Sequence, residues 1–166
     1  MIFYSKLVGI MLVVVLSLPV GLVLHEGSHL FVMALCNGTL EELSFGTQSF
    51  VGGYIAPEYI SVIAMASIMI PLVLSVILSM IRNIHILFFN TGIGISTVIN
   101  IVLGLFATCF INDSTRETYD VALAFDSARF PVMIIVLSIV CFIIQIGCAI
   151  RQFKQCNRKI DEYFFG

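Results

Sequence analysis

Four long apolar stretches dominate this chain of 166 residues. They cover about residues 7–36, 60–81, 84–111 and 130–150. Each reaches the length of about 20 mostly apolar residues that an α-helix needs to cross the hydrocarbon core of a bilayer. Because lipid offers the backbone no hydrogen-bonding partner, a single segment that spans it is expected to be helical. The sequence therefore predicts an all-α membrane protein with about four transmembrane helices.

The composition agrees with a membrane protein and excludes other classes. Of the residues, 60% are hydrophobic and 11% are charged, whereas soluble domains average about 45–50% apolar and about 25% charged residues. The length fits a single integral membrane domain over residues 1–166. The net charge of −2 provides no basic surface for nucleic acid. Four of the five cysteines lie in or beside apolar runs, which favours buried thiols over disulfides or a thiolate zinc site.

Basic residues indicate how the helices are oriented. Lys6 precedes the first stretch, and Arg82 separates the second from the third. Four further basic residues follow the last stretch: Arg151, Lys154, Arg158 and Lys159. Since Lys and Arg accumulate in cytoplasmic loops, both termini are expected in the cytoplasm. We expect a multi-pass protein of a bacterial cell membrane.

Two connections face the opposite side in this topology. The first, residues 37–59, contains short mixed polar and apolar runs broken by Gly52 and Gly53. Such runs are typical of a β-hairpin or a loop, here lying at the membrane face. The second, residues 112–129, is the most polar segment on that side.

The first stretch contains the motif His25-Glu26-Gly27-Ser28-His29. Helical residues four apart lie on one face, so both imidazoles can reach one metal ion. This is the H-E-x-x-H pattern, in which the glutamate accepts a proton from a water held by zinc. Ionisable groups are costly inside a spanning helix, so three of them together predict a metal site. A polar or proton-relay cluster is the other interpretation.

A catalytic zinc needs a third protein ligand and keeps its fourth position for water. The third stretch is expected to run parallel to the first, so the segment after it emerges on the side of the motif. Asp113 and Asp120 lie in that segment. Asp113 follows a helix end that disfavours negative charge unless a metal offsets it, whereas Asp120 suits the start of a helix leading into the fourth stretch. We take Asp120 as the third ligand and Asp113 as the alternative.

Asn100 lies inside the apolar third stretch. A buried amide in lipid needs a partner, which an interhelical hydrogen bond can supply. The other interpretation is a donor to the substrate carbonyl oxygen as negative charge develops there. The candidate catalytic residues are therefore Glu26 and Asn100.

Together these motifs resemble the site-2 protease family of intramembrane zinc metalloproteases. The resemblance rests first on the motif from His25 to His29 in a membrane helix. Weaker matches follow in Phe45-Gly46 and Gly52-Gly53-Tyr54-Ile55, and in Asn100 with Gly104-Leu105-Phe106. Members of the family similarly place a membrane-associated hairpin or loop after the motif helix.

The resemblance covers about residues 7–125 and implies hydrolysis of a peptide bond in or next to a membrane-spanning substrate. It implies Zn²⁺ as the cofactor and a membrane protein or peptide as the partner within the bilayer. The family's aspartate ligand follows closely after an asparagine, but here that spacing reaches Thr108, so the aspartate must come later. Two other functions fit the same residues: a zinc-dependent hydrolase of a lipid or small amide, and a non-enzymatic membrane protein with a structural metal or polar site. The oligomeric state is not predicted.

Overall fold

The computed structural model describes residues 2–36, 38, 56–112 and 114–165, and within them all side chains except those of residues 2–6, 10, 116, 117 and 156–165. These residues form five α-helices and one 3-10 helix: α1 (Ile2–Leu35), α2 (Pro57–Leu78), α3 (Ile84–Phe110), the 3-10 helix Ser114–Thr118, α4 (Asp120–Ser127) and α5 (Pro131–Phe165). No strand occurs in the described ranges. The hairpin or loop predicted after the first helix falls mainly on residues 39–55, which lie outside them.

Four helices are long and apolar enough to cross a membrane: Leu7–Leu35, Pro57–Leu78, Ile84–Phe110 and Pro131–Gln155. Large apolar side chains cover their outer surfaces, as at Phe110 and Val132, each 70% exposed. A continuous apolar exterior of this kind is compatible with lipid and not with water. The predicted all-α membrane protein with about four spans is confirmed.

Local sequence explains where the helices begin. Pro57 and Pro131 stand at the first positions of α2 and α5, where a missing backbone N–H costs no helical hydrogen bond. The side-chain oxygen of Asn83 accepts hydrogen bonds from the backbone N–H groups of His85 at 2.8 Å and Ile86 at 3.4 Å. This N-cap starts α3 at the predicted position.

Three helices have boundaries that differ from those expected. The first begins at Ile2 instead of residue 7. The second span occupies Pro57–Leu78 instead of residues 60–81, because Pro57 starts the helix early and the chain turns after Leu78. The fourth continues to Phe165 instead of stopping near residue 150. The length of an apolar stretch predicts only the part of a helix that can lie in lipid. The charged residues that follow have helix propensity of their own, so the helix continues beyond the apolar stretch.

Contacts between α1 and α3 show that these helices are parallel. Gly92 of α3 packs against Ser17 of α1, where no room exists for a larger side chain. Eight residues further along both helices, Asn100 contacts His25. The parallel course expected for the first and third spans is therefore what the structure has.

The other two spans run in the opposite direction. Asn90 donates to the carbonyl of Ser75, and Asn100 donates to Ser67, so α2 is antiparallel to α3. The parallel course of α2 and α5 follows from two contacts, Met69 with Cys141 and Leu78 with Gln152. The bundle is thus up-down-up-down, with the start of α1 and the end of α5 at the same end. We call the opposite end, where α1 and α3 finish and α2 and α5 begin, the motif end.

The short helix α4 packs into the bundle at the motif end. Its Val121, Ala122 and Ala124 are fully buried. The core cluster combines α4 with three spans: Ala64, Met65, Ile68, Leu72, Ile101, Val121, Ala124 and Cys141. The part of the polar connection that forms α4 therefore packs into the core of the bundle. Helix α4 begins at Asp120, as expected, and ends before α5, because the residue before a proline such as Pro131 disfavours helical geometry.

Candidate metal and catalytic site

His25, His29 and Asp120 come together at the motif end. Each residue offers one ligand atom, and these atoms all lie within 4.8 Å of one another. The Nε2 atom of His25 lies 3.2 Å from Oδ2 of Asp120, and Nε2 of His29 lies 3.3 Å from Oδ1. Of the two aspartates considered from the sequence, the structure brings Asp120 to the histidines, and Asp113 lies outside the described residues.

The two histidines share a face because they are four residues apart on α1. Their ring centroids lie 5.0 Å apart with the planes at 89°, so the rings meet edge to face. Since α1 ends at Leu35, a rise of 1.5 Å per residue places His29 about 9 Å and His25 about 15 Å below the helix end. Asp120 is the first residue of α4, where the helix dipole favours a negative charge.

His29 is oriented by a backbone carbonyl of the neighbouring span. Its Nδ1 atom lies 2.8 Å from the carbonyl oxygen of Ile63. A carbonyl oxygen only accepts hydrogen bonds, so Nδ1 carries a proton, and Nε2 is the ring nitrogen that faces Asp120. This is the arrangement found in metal-binding histidines, whose second nitrogen donates to an outer acceptor.

Asn100 lies among the other members of the site. Its Nδ2 atom is 3.0 Å from Nδ1 of His25, 3.2 Å from Oδ2 of Asp120 and 3.4 Å from Oγ of Ser67. The amide therefore joins α3 to α1, α2 and α4, as its interhelical interpretation predicts. Binding of a metal by Nε2 of His25 requires the ring proton to be on Nδ1. The Asn100 amide must then turn so that its oxygen, in place of Nδ2, accepts a hydrogen bond from Nδ1.

Ser67 is part of the site although the sequence analysis did not select it. Its hydroxyl lies 2.7 Å from Oδ2 of Asp120 and 2.9 Å from the carbonyl oxygen of Ala64, and the residue is 1% exposed. Buried serines in helices commonly bond only to the preceding turn. Nothing in the sequence of α2 separates Ser67 from its other serines, because its role depends on where α4 lies.

Glu26 stands beside the three ligands without joining them. Its Oε1 atom lies 3.9 Å from Nε2 of His25, and its side chain is 13% exposed. The motif places it one position from His25 and three from His29 on the same helix. A carboxylate in this position can exchange a proton with a water at the ligand atoms, which a general base requires.

The carboxyl group of Asp120 is held in its charged form. Burial raises the pKa of this carboxyl group. The hydrogen bond and charge of His29, the charge of His25 and the Ser67 hydroxyl outweigh that effect and keep the pKa below its usual value. An ionised carboxylate is the form that binds a cation.

Known proteins supply no family for this chain. Comparisons with protein-family models, with curated proteins and with solved structures find no match. The resemblance to site-2 proteases therefore rests on the motifs alone, and the geometry of the site is the basis for a function.

Proposed function

We propose that this protein is an intramembrane zinc metalloprotease that hydrolyses a peptide bond in or next to a membrane-spanning substrate. One observation carries the proposal: the ligand atoms of His25, His29 and Asp120 lie within 4.8 Å of one another inside an apolar bundle. Two imidazoles and one carboxylate are a donor set of catalytic zinc sites, which keep the fourth position open. A structural zinc site uses four protein ligands, and the described residues bring three together here.

The residues present fit Zn²⁺ through their outer contacts as well as their ligand atoms. The Ile63 carbonyl fixes the His29 tautomer that leaves Nε2 available, and the Ser67 hydroxyl holds the Asp120 carboxylate. When bound, zinc supplies a Lewis acid that activates water and stabilises charge on the carbonyl oxygen under attack.

Glu26 is the proposed general base. It accepts a proton from the attacking water and then donates that proton to the amine that leaves. Its carboxylate lies next to His25 yet outside the ligand set. It can therefore accept and donate the proton without breaking a bond to the metal. A structural site has no use for such a group.

Asn100 is proposed to position the ligands. Its amide lies beside His25, so in the turned orientation its oxygen accepts a hydrogen bond from the ring and orients that imidazole. Its donation of a hydrogen bond to the substrate carbonyl, predicted from the sequence, stays a prediction.

The proposed substrate is a membrane peptide whose scissile segment is extended. Helical backbone hides its carbonyl groups, so a substrate helix must unwind before attack. We further propose that the motif end faces the outside of a bacterial cell membrane. The start of α1 and the end of α5 lie together at the other end, and the basic residues that flank the spans, such as Lys6 and Arg151, favour the cytoplasm for it.

The direct test is hydrolysis by the purified full chain in phosphatidylcholine vesicles that contain single-span peptides. We expect cleavage within or beside the span, its loss when a zinc chelator is added, and its return when Zn²⁺ is restored. Cleavage that resists the chelator, or none with any peptide of the set, would contradict the proposal. Hydrolysis of lipid esters or amides without peptide cleavage would favour a lipid-directed enzyme.

Gly104 offers a second test, because it sets how closely α4 approaches α3. A Cβ atom at this position would lie 2.6 Å from Cβ and 3.2 Å from the backbone N of Val121, the neighbour of Asp120. We expect Gly104→Ala to push Asp120 away and to weaken zinc binding by about 10- to 100-fold, as loss of a supporting residue does. Zinc titration of the purified variant measures this.

The matched control for Gly104 is Gly147→Ala. A Cβ at Gly147 meets nothing within 4 Å, and both glycines lie inside spanning helices, so the helix propensity gained is the same. We expect wild-type zinc affinity for the control. Equal affinity in both variants would show that the approach of α4 does not position the third ligand.

A further inference from the structure

Helices α1 and α3 approach each other closely one turn before the cluster of His25, His29 and Asp120. A Cβ atom at Gly21 of α1 would lie 2.9 Å from Cβ and 3.2 Å from Oγ of Ser96 on α3. Non-bonded carbon atoms pack at about 3.5–4.0 Å. The Cβ of Ser96 is bonded to its backbone, so a different rotamer does not relieve the contact. The two helices therefore lie closer together at Gly21 than a larger residue allows.

This contact is one of three at regular steps along the two helices. They pair Ser17 with Gly92, Gly21 with Ser96, and His25 with Asn100. Each step is four residues on both helices, which keeps the contacts on one face and separates them by about 6 Å. Since α1 and α3 are parallel, the contact of Gly21 lies directly beside that of His25 along the interface.

The contact between His25 and Asn100 tolerates little extra separation of the helices. The Asn100 amide lies 3.0 Å from Nδ1 of His25, and a distance of about 3.6 Å is no longer a hydrogen bond. An alanine in place of Gly21 needs about 0.6 Å more room to reach ordinary carbon–carbon packing. If α3 instead tilts about its contact with Ser17, the displacement at Asn100 is about twice as large as at Ser96. Either movement uses up the tolerance of the hydrogen bond.

We propose that Gly21 is a positioning residue for the metal site. Because it has no side chain, α1 and α3 come close enough for the Asn100 amide to reach His25. The inference rests on the proposed function, in which His25 is a zinc ligand and Asn100 orients its imidazole. Gly21 itself acts only through the spacing of the two helices.

Zinc titration of the purified full chain with Gly21→Ala tests the proposal. We expect binding about 10- to 100-fold weaker, the usual effect of losing an outer partner of a ligand. The matched control is Gly9→Ala on the same helix, because a Cβ there meets no atom of the described residues within 4 Å and the gain in helix propensity is the same. We expect wild-type affinity for the control. The same affinity in Gly21→Ala would overturn the proposal.

A compensating change on α3 identifies the contact responsible. Ser96→Gly removes the Cβ that an alanine in place of Gly21 would meet, so the double variant regains room for the close approach. We expect the zinc affinity of the double variant to equal that of Ser96→Gly alone within about twofold. A double variant that binds zinc as weakly as Gly21→Ala would show that this contact is not the cause.

Close packing alone is the other role open to Gly21, since small residues at contacts between spanning helices stabilise a bundle. The two roles differ in how they depend on Asn100. If Gly21 acts through Asn100, Gly21→Ala has no further effect on zinc affinity once Asn100→Ala has removed the amide. Equal losses of affinity with and without Asn100 would mean that Gly21 serves packing only.

A measurement on metal-free protein separates this proposal from the proposed function. With ¹⁵N-labelled histidine, the NMR resonance of Nδ1 of His25 reports the contact with Asn100, and His25→Ala assigns it. We expect this resonance to shift in Gly21→Ala and to return in the double variant with Ser96→Gly. If the wild type binds no zinc, the proposed function is wrong. If the wild type binds zinc and the resonance stays unchanged in Gly21→Ala, only the proposal for Gly21 is wrong.

Discussion

Glu26→Gln is expected to lower peptide hydrolysis by about 10²- to 10⁴-fold, the usual contribution of a general acid or base. The amide keeps the shape of the carboxylate but cannot accept the proton from water. Because Glu26 lies outside the cluster of ligand atoms, we expect the variant to bind as much zinc as wild type. Cleavage rate and zinc content, measured on the same purified sample, check the two halves of this prediction.

The control for this variant is Glu58→Gln. Glu58 is an exposed acid in the first turn of α2, also at the motif end, so its replacement tests whether any lost carboxylate at this end reduces the rate. We expect wild-type cleavage. If Glu26→Gln keeps both zinc and activity, Glu26 has no catalytic role and a structural metal site becomes the better interpretation. Loss of zinc together with activity would mean that Glu26 holds the metal site together.

Asp120→Ala is expected to remove bound zinc. Two histidines alone do not make a three-ligand site, so the loss of affinity should exceed the roughly 10- to 100-fold that follows removal of an outer partner. The measurement is metal analysis of the purified protein beside wild type and His25→Ala, which should lose zinc in the same way. Far-ultraviolet circular dichroism of each sample checks that the helices are retained.

Two further aspartates test whether the assignment is specific. Asp126→Ala removes an exposed acid from the same short helix, and we expect zinc to remain. Asp113→Ala removes the alternative ligand considered from the sequence, and zinc should remain there too. Zinc lost with Asp113→Ala and kept with Asp120→Ala would reverse the assignment. Zinc kept in every variant, His25→Ala included, would leave the metal site without support.

The number of spans could be predicted from the sequence because apolar length is a direct requirement of the bilayer. The pairing of His25 and His29 could also be predicted, since four residues on a helix place two side chains on one face. Asp120 was preferred over Asp113 because an acid suits a helix start, and α4 does begin at that residue. Each of these features depends on local sequence.

The features that escaped prediction depend on packing between helices distant in the chain. Ser67 of α2 contacts Asp120 of α4, and the absence of a side chain at Gly104 lets the neighbouring Val121 lie close to α3. Residues 112–129 stood out in the sequence as the most polar segment on their side, yet the buried face of α4 needs only a few small apolar residues, of which Ala124 is one. A segment of eight residues is too short for its hydrophobic periodicity to reveal such a buried face from one sequence.

The order of the ligands along the chain has a consequence for biosynthesis. The histidines belong to the first span, whereas Asp120 follows the third. A nascent chain in which only α1 and α2 have been inserted carries the two histidines but not Asp120. Two donors are too few for a catalytic zinc site, which uses three protein ligands. Under the proposed function, translation must pass Asp120 before the ligand set is complete, so we expect a shorter ribosome-bound fragment to lack both catalytic zinc and activity.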